Sequence, residues 1–413
     1  MDGYLIVKES LEPEKDFLRE SLTQPGLFMD TFKPFAQSSL RGSVLTLCSS
    51  TLGPGFLTLP FAFKLAGLLP GLFVLVLVGL IYAMHYRVLV MAHEVTRVYS
   101  FTGVVQLLLG VNWRKTVEVF LLLLRFGMIC VTQMVLINCI MGILEQLLGL
   151  HGIKVPLLIA SNILVVFPMV LFMQVGVLKY LCSVFNFFVG LLALILVVQL
   201  PSYSAYNLVE PSLLGPSPLL GFTLVVYAFD SGTAFPIIYS ELQKRSTKRI
   251  KKVVTYSTSI NLTLYIVVSV AGYFALGSQT PQVITNRPYY WGTDWCMMVA
   301  NSMLLLSLLG TLPLRILNML EAAQFAFESL ERFYCPMVTL TIAISTIISV
   351  FSEDITKCIS ILVGTLVLFL VTVVPWLLLC KIETKPWKIL LTGVLCLGLQ
   401  ILGVYSSFEA VMN

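Results

Sequence analysis

Charge is what this sequence has least of. Only 11% of its 413 residues are charged, whereas 58% are hydrophobic, and the mean hydropathy is +0.93. Soluble domains carry charge on about a quarter of their residues, so the composition excludes an ordinary soluble protein. A net charge of +5 is too modest to require a nucleic-acid partner. The chain is therefore expected to be an integral membrane protein that lies in the lipid bilayer.

Catalytic and metal-binding motifs are also missing. The chain has three histidines and no HExxH, GxSxG or P-loop pattern, which argues against an enzyme. Its nine cysteines show no spacing that predicts a metal site, so we expect no cofactor. Residues 1–40 are polar and of mixed charge, unlike a cleaved signal peptide, and we interpret them as a cytosolic tail.

Long apolar runs are what the sequence has in abundance. A helix that crosses a bilayer needs about 20 apolar residues, and eleven such runs follow the polar tail. We predict an all-α membrane protein whose spans are approximately 42–66, 69–93, 117–149, 156–175, 178–200, 218–240, 253–276, 294–315, 336–352, 358–380 and 387–406. The segment 316–334 is amphipathic, and we expect it to lie at the membrane surface.

Basic residues set the expected orientation, because Lys and Arg accumulate in cytosolic loops. With the N-terminus in the cytosol, most of the 26 basic residues fall in cytosolic segments, including the loop Lys244–Lys252 and the span end at Arg315. We therefore predict a cytosolic N-terminus and, with an odd number of spans, an extracytosolic C-terminus. The sequence shows no oligomerisation signal, so we expect a monomer. The sequence leaves open whether the membrane is the plasma membrane or that of a vacuole or lysosome.

Two of the predicted spans are interrupted near their midpoints. The first contains Gly53-Pro54-Gly55 in LCSSTLGPGFLTLPFAF, and the sixth contains Asp230-Ser231-Gly232 in GFTLVVYAFDSGTAFPIIYSE. Lipid offers no hydrogen-bond partners, so irregular backbone at this depth survives only where it lines a cavity in the protein. Interruptions at corresponding places in two halves of a chain are typical of the binding site of a transporter.

The positions of the two breaks predict an internal repeat. Spans one to five, about 42–200, and spans six to ten, about 218–380, form two sets of five helices. An odd number of spans inverts the second set relative to the first, so that the breaks meet near the midplane. The eleventh helix, about 387–406, lies outside this 5+5 inverted repeat.

At these residues the chain resembles a known family, the amino acid/auxin permeases of the amino acid–polyamine–organocation superfamily. Gly53–Gly67, GPGFLTLPFAFKLAG, resembles the first-helix pattern of the family. Tyr227–Pro236, YAFDSGTAFP, resembles the sixth-helix motif of the proton-coupled branch, which has an acidic residue where Asp230 stands. The loop Ser240–Val253, SELQKRSTKRIKKV, is similar to that of the sodium-coupled neutral branch. The resemblance implies the fold of the bacterial leucine transporter, with helices 1 and 6 broken, and amino acids as substrates.

A zwitterionic amino acid fits two breaks of this kind. We expect its carboxylate to meet backbone N–H groups at Gly53, Gly55 and Phe56, since the intervening proline has no N–H. The ammonium is expected to meet the carbonyl end of the outer half of helix six: Tyr227, Ala228, Phe229 and Asp230. The side-chain pocket is assigned to residues of helices three and six: Thr132, Gln133, Phe229, Ser231 and Thr233.

Asp230 is the residue that suggests a coupling mechanism. A charged Asp at mid-span costs about 3 kcal/mol on insertion scales, and we hypothesise that it takes up the co-transported H⁺. The alternatives are that it caps the inner half-helix or only binds substrate. The other candidate ion is Na⁺, held by oxygens of Leu45, Cys48, Ser307 and Thr311.

Three functions stay open from the sequence. The first is secondary active, H⁺-coupled amino acid transport by alternating access. The second is Na⁺-coupled transport of neutral amino acids, and the third is amino acid sensing by a transceptor with little flux. The sequence does not identify the amino acid.

Overall fold

The computed structural model describes the chain from residue 40 onward, with several gaps. The described residues are 40–149, 154–172, 190–201, 211–230, 235–242, 246–287, 295–326, 334–352 and 354–412. Within these ranges the regular structure is helical and contains no β-strand, as predicted. The predicted tail 1–40, except for its last residue, and the first part of the fifth predicted span lie outside the described residues.

Sixteen α-helices are numbered here in chain order within the described ranges. They are α1 (Leu40–Thr51), α2 (Leu59–Ala66), α3 (Leu68–Thr96), α4 (Phe101–Leu109), α5 (Val111–Leu148), α6 (Lys154–Ser161), α7 (Phe167–Phe172), α8 (Gly190–Pro201), α9 (Pro218–Ala228), α10 (Phe235–Glu241), α11 (Thr247–Leu276), α12 (Trp295–Ala326), α13 (Tyr334–Phe351), α14 (Ile355–Leu362), α15 (Val374–Ile382) and α16 (Pro386–Met412). A π-helical turn, Asn162–Val166, joins α6 to α7. Two more, Val363–Val367 and Phe369–Val373, lie between α14 and α15.

Helices long and apolar enough to cross a membrane occur throughout the described ranges. Seven of them meet this criterion: Leu68–Thr96, Val111–Glu145, Lys154–Leu171, Thr247–Gln279, Trp295–Leu320, Ile355–Ile382 and Pro386–Met412. The remaining predicted spans contain shorter apolar helices: Gly55–Ala66, Gly190–Pro201, Pro218–Ala228 and Cys335–Phe351. The chain is thus a helical, multi-pass membrane protein. The count of eleven spans and the inverted repeat stay predictions.

The first predicted span is broken where Gly53-Pro54-Gly55 stands. Helix α1 ends at Thr51, a 3₁₀ turn covers Pro54–Thr58, and α2 follows it directly. Gly53 itself is extended, with φ −136° and ψ −166°. Proline can occupy the first position of the turn because its missing N–H is not needed there.

The sixth predicted span is also discontinuous. Helix α9 ends at Ala228, the backbone at Asp230 has no helical assignment, and α10 begins at Phe235. Residues 231–234 lie outside the described residues. A helix that ends inside a buried region leaves carbonyl groups that need other partners.

A short loop holds the two broken spans together. The N–H of Gly215 donates to the carbonyl of Ala66 at 2.9 Å, and the N–H of Ser217 donates to that of Leu65 at 2.9 Å. Both acceptors belong to the last turn of α2, and both donors lie just before α9. This pairing fixes the end of α2 beside the start of α9, and these two helices then pack along their length.

The eighth predicted span is longer than the sequence indicated. We expected it to end at 315 and the segment 316–334 to lie at the surface, but α12 runs unbroken from Trp295 to Ala326. Ile316 and Leu320 are buried, because α12 packs along α5. The amphipathic pattern thus marks a helix–helix contact, and the position of residues 316–326 at the membrane surface stays a prediction. Arg315, which we counted as a cytosolic span end, lies inside the helix.

Candidate binding site between the two helix breaks

The two breaks contact each other at Gly55. A Cβ atom added to this glycine would lie 2.7 Å from Cδ1 of Tyr227 and 2.8 Å from Cα of Ala228. Real Cβ atoms do not approach backbone atoms this closely, so only glycine permits the contact. The 3₁₀ turn of the first break therefore lies against the end of α9.

Backbone donors are available at the first break, but fewer than the sequence suggested. Phe56 was expected to offer its N–H, yet that group donates to the carbonyl of Gly53 at 3.1 Å within the turn. The N–H groups of Gly53 and Gly55 donate to no backbone carbonyl of the described residues. The donor set at this break is therefore reduced to the two glycines.

Two tyrosines cover the carbonyl groups at the end of α9. The hydroxyl of Tyr82, on α3, donates to the carbonyl of Val226 at 3.2 Å. The hydroxyl of Tyr265, on α11, donates to the carbonyl of Ala228 at 2.7 Å. Each carbonyl has two lone pairs, and each tyrosine hydroxyl occupies one of them. The carbonyl of Tyr227 accepts from the N–H of Asp230 at 3.3 Å.

The same two tyrosines hold Phe229. Its ring centroid lies 5.9 Å from that of Tyr82 in a stacked arrangement and 4.9 Å from that of Tyr265 edge to face. Tyr265 also contacts Phe56, with centroids 6.1 Å apart. These are favourable separations for aromatic pairs, so the side chains on both sides of the breaks form one aromatic cluster.

Two opposite charges lie near Tyr227. The Asp230 carboxyl and the Arg315 guanidinium both lie within electrostatic range of its hydroxyl. Arg315 also approaches the first break, since a Cβ atom on Gly53 would lie 3.6 Å from its Nη2. Arg315 is half-buried and Tyr227 is 4% exposed. The breaks are therefore flanked by a basic residue on α12 and an acidic residue just beyond α9.

The pocket residues predicted on helix three make their polar contacts elsewhere. The Gln133 amide donates to Oδ1 of Asn162 at 3.4 Å and accepts from Oγ of Ser349 at 3.2 Å. The Thr132 hydroxyl donates to the carbonyl of Met128, in its own helix, at 2.6 Å. Both side chains are fully buried. The predicted Ser231 and Thr233 lie outside the described residues.

The oxygens proposed for Na⁺ are only partly available. Leu45 and Cys48 lie inside α1, and the carbonyl of Cys48 accepts from the N–H of Leu52 at 3.1 Å. We expected the backbone to be unwound near Leu45 and Cys48, but α1 stays helical as far as Thr51 and the chain unwinds only after that residue. On α12, the Thr311 hydroxyl donates to the carbonyl of Leu308 at 3.3 Å. The Ser307 hydroxyl is buried without a partner among the described residues.

Sequence reasoning missed Tyr82, Tyr265 and Arg315. A signal was present for the tyrosines, because a phenol within an apolar span needs a hydrogen-bond partner. Arg315 follows Gly310-Thr-Leu-Pro at the predicted end of a span, which made it resemble a topogenic charge. Only the continuation of α12 moves it beside the breaks.

Together, these features define a membrane protein with paired interrupted helices, an arrangement characteristic of secondary transporters. The chain belongs to the family described as "Transmembrane amino acid transporter protein", whose profile matches residues 36–412. This confirms the family resemblance and the prediction that the chain is not an enzyme.

Known proteins are similar to between 60% and 84% of this chain. Mouse solute carrier family 38 member 8 is 24% identical over 381 residues, which cover 84% of this chain and 86% of that protein. Amino acid transporter AVT6E of Arabidopsis thaliana is 27% identical over 276 residues, which cover 60% of this chain and 55% of that protein. Amino acid transporter AVT6B of the same plant is 23% identical over 271 residues, covering 60% and 58%.

Proposed function

We propose that this protein is a secondary active transporter that moves amino acids across a membrane by alternating access. The observation that carries the proposal is the contact of Gly55 with Tyr227 and Ala228, which brings two interrupted spans together. One break offers the N–H groups of Gly53 and Gly55 to a carboxylate. The other ends in carbonyl groups and Asp230, which suit an ammonium.

Alternating access is supported by the chain's organisation. A 5+5 inverted repeat would place the two breaks at the interface between its halves, where one half can rock against the other. Nearby, α11 packs against α1, α2 and α3, while α5 packs against α12 and α13. We propose that these two groups of helices move relative to each other around the bound amino acid. We further propose a monomer with a cytosolic N-terminus.

Proton coupling through Asp230 is the mechanism we favour. A carboxylate beside the second break can exchange a proton as the site changes from one side of the membrane to the other. Protonation would remove a negative charge close to the substrate ammonium and to the Tyr227 hydroxyl. H⁺ and amino acid would then move together, provided that the transporter changes its open side only when both are bound.

Sodium coupling is the second candidate, and one observation favours it. The Ser307 hydroxyl is buried without a described hydrogen-bond partner, as expected of an oxygen that binds an ion. The helical carbonyls of Leu45 and Cys48 weigh against this site. Replacing external sodium with choline separates the two candidates, because only Na⁺-coupled uptake would stop.

The test is uptake of the standard radiolabelled amino acids, one at a time, into vesicles reconstituted with the full chain. We expect saturable uptake of at least one amino acid, increased by an inward proton gradient and absent from protein-free vesicles. Counterflow after preloading with the same unlabelled amino acid should accelerate uptake, as alternating access requires. Specific binding without any uptake or counterflow would instead support the transceptor, and neither binding nor uptake would overturn the proposal.

A further inference from the structure

Arg315 is a basic residue in a long apolar helix, and it has no ion-pair partner among the described residues. It lies on α12 between Leu312 and Ile316, both of which are fully buried. In the described part of the chain, no acidic side chain pairs with it and no acceptor takes a hydrogen bond from it. An ionisable residue in a membrane span is costly and usually faces the interior or a cavity of the protein.

A second arginine shows what a purely structural role looks like in the same helix pair. Arg125, on α5, donates to the carbonyl of Asn318 on α12 at 2.8 Å, which ties the two helices together. Arg315 makes no comparable bond to any described residue, although it lies less than one turn from Asn318 along α12. Helix packing therefore does not account for its guanidinium.

The Tyr227 hydroxyl is an independent indication of a ligand-binding position. Its side chain is 4% exposed, and its hydroxyl has no hydrogen-bond partner among the described residues. A buried hydroxyl that lacks a partner is destabilising and rare in native proteins. The same hydroxyl lies within electrostatic range of Arg315, beside the Gly55 turn. Tyr227 packs against Gly55 and the Arg315 guanidinium approaches Gly53, so a buried hydroxyl and a basic group both lie beside the first break.

A carboxylate is the group that would satisfy both residues at once. It has two oxygens and accepts from a guanidinium fork and a phenol together. We propose that Arg315 and the Tyr227 hydroxyl bind the substrate's α-carboxylate, together with the Gly53 N–H group. The inference rests on the proposed function and narrows it to substrates that carry a free carboxylate. Amino acid amides and amines without a carboxylate would then be excluded.

The test compares an amino acid with its own amide. The probe is the radiolabelled amino acid that wild-type vesicles accumulate fastest, and the competitor is the same molecule with its α-carboxylate converted to a carboxamide. In wild type, the amide should inhibit uptake at concentrations about 10- to 100-fold above those of the unlabelled amino acid, because a charged hydrogen bond is lost.

Variants test which side chains cause the preference for the amino acid over its amide. In Arg315→Gln, the half-saturating amino acid concentration should rise by about 10- to 100-fold, while inhibition by the amide stays near its wild-type value. Arg315→Lys should give an intermediate result, because Lys keeps the charge but not the fork. Tyr227→Phe should also lower the preference for the amino acid over its amide, by a smaller factor than Arg315→Gln. Arg87→Gln, at an exposed arginine of α3, should match wild type.

The outcomes separate the two proposals. Wild-type vesicles that accumulate no amino acid would overturn the proposed function and this inference with it. Wild-type uptake together with an unchanged amino acid-to-amide preference in Arg315→Gln would overturn the inference alone. If Arg315→Gln does not yield folded protein, an unchanged preference in both Arg315→Lys and Tyr227→Phe would overturn it equally.

Discussion

The hydroxyl of Tyr265 donates to the carbonyl of Ala228 at 2.7 Å, and the carbonyl of Thr51 lies 3.2 Å from the same hydroxyl. Thr51 ends α1 and Ala228 ends α9, so one side chain of α11 contacts the last helical residue of both interrupted spans. A phenol has one proton, so the two carbonyls share a single donor. Tyr265 therefore links the two breaks directly.

Removing this hydroxyl should weaken the link without removing the ring. We expect Tyr265→Phe to keep its contacts with Phe56 and Phe229 but to lower the free energy of unfolding by about 1 to 3 kcal/mol, since buried carbonyls lose a donor. Thermal unfolding of the purified protein and initial uptake rates would measure the effect. The control is Tyr256→Phe on the same helix, at a side chain that is 52% exposed. Equal stability of the two variants would contradict the bridging role.

The contact between the breaks can be tested with two neighbouring glycines. In Gly55→Ala, the new Cβ would meet the Ala228 backbone at 2.8 Å, so we expect the breaks to separate and uptake to be lost. In Gly53→Ala, the nearest atom is Nη2 of Arg315 at 3.6 Å, an ordinary contact, and the extended backbone accepts alanine. Gly53→Ala should therefore lose less uptake than Gly55→Ala, because it leaves the two breaks in contact and keeps the Gly53 N–H group. Comparable uptake by both variants would argue that the breaks do not need their close approach.

The location of the breaks could be predicted because it depends on local backbone chemistry. Gly53-Pro54-Gly55 cannot continue a helix without cost, and Asp230 is a poor residue for mid-span. The structure ends α1 and α9 within three residues of these positions. The hydrophobic runs likewise predicted where the long helices lie, because their length is set by the bilayer.

The partners of the breaks could not be predicted, because they come from distant parts of the chain. Whether Tyr82 and Tyr265 point at α9 depends on how α3 and α11 are rotated, and hydropathy does not fix rotation. The position of Arg315 was not predicted for a related reason. The residues after it have an amphipathic pattern, and such a pattern is the same for a helix at the membrane surface and for a helix that packs against α5. Gln133 was assigned to the pocket by its position, but its amide bonds to Asn162 and Ser349.

Asp230 provides a direct test of proton coupling. A gradient of one pH unit can drive about a tenfold accumulation of a substrate that moves with one proton, at zero membrane potential. We expect this accumulation in wild-type vesicles and its loss in Asp230→Asn, which cannot take up a proton but keeps the size of the side chain. Counterflow, which needs no net driving force, should persist in the variant. Glu409→Gln, on α16, serves as the control. Proton-driven accumulation that survives in Asp230→Asn would end this coupling hypothesis.

The packing of the last helix can be tested independently of transport. A Cβ atom on Gly364 would overlap Oγ of Ser407 and the carbonyl oxygen of Gly403, both on α16, so Gly364→Ala should force the helices apart. Overpacking of this kind costs about 1 to 3 kcal/mol, and a lower midpoint of thermal unfolding would show it. The matched control is Gly398→Ala, where no atom lies within 4 Å of the added Cβ. That variant should be as stable as wild type or slightly more so, because alanine favours a helix over glycine. If Gly364→Ala unfolds at the same temperature as Gly398→Ala, the close approach of these helices does not stabilise the protein.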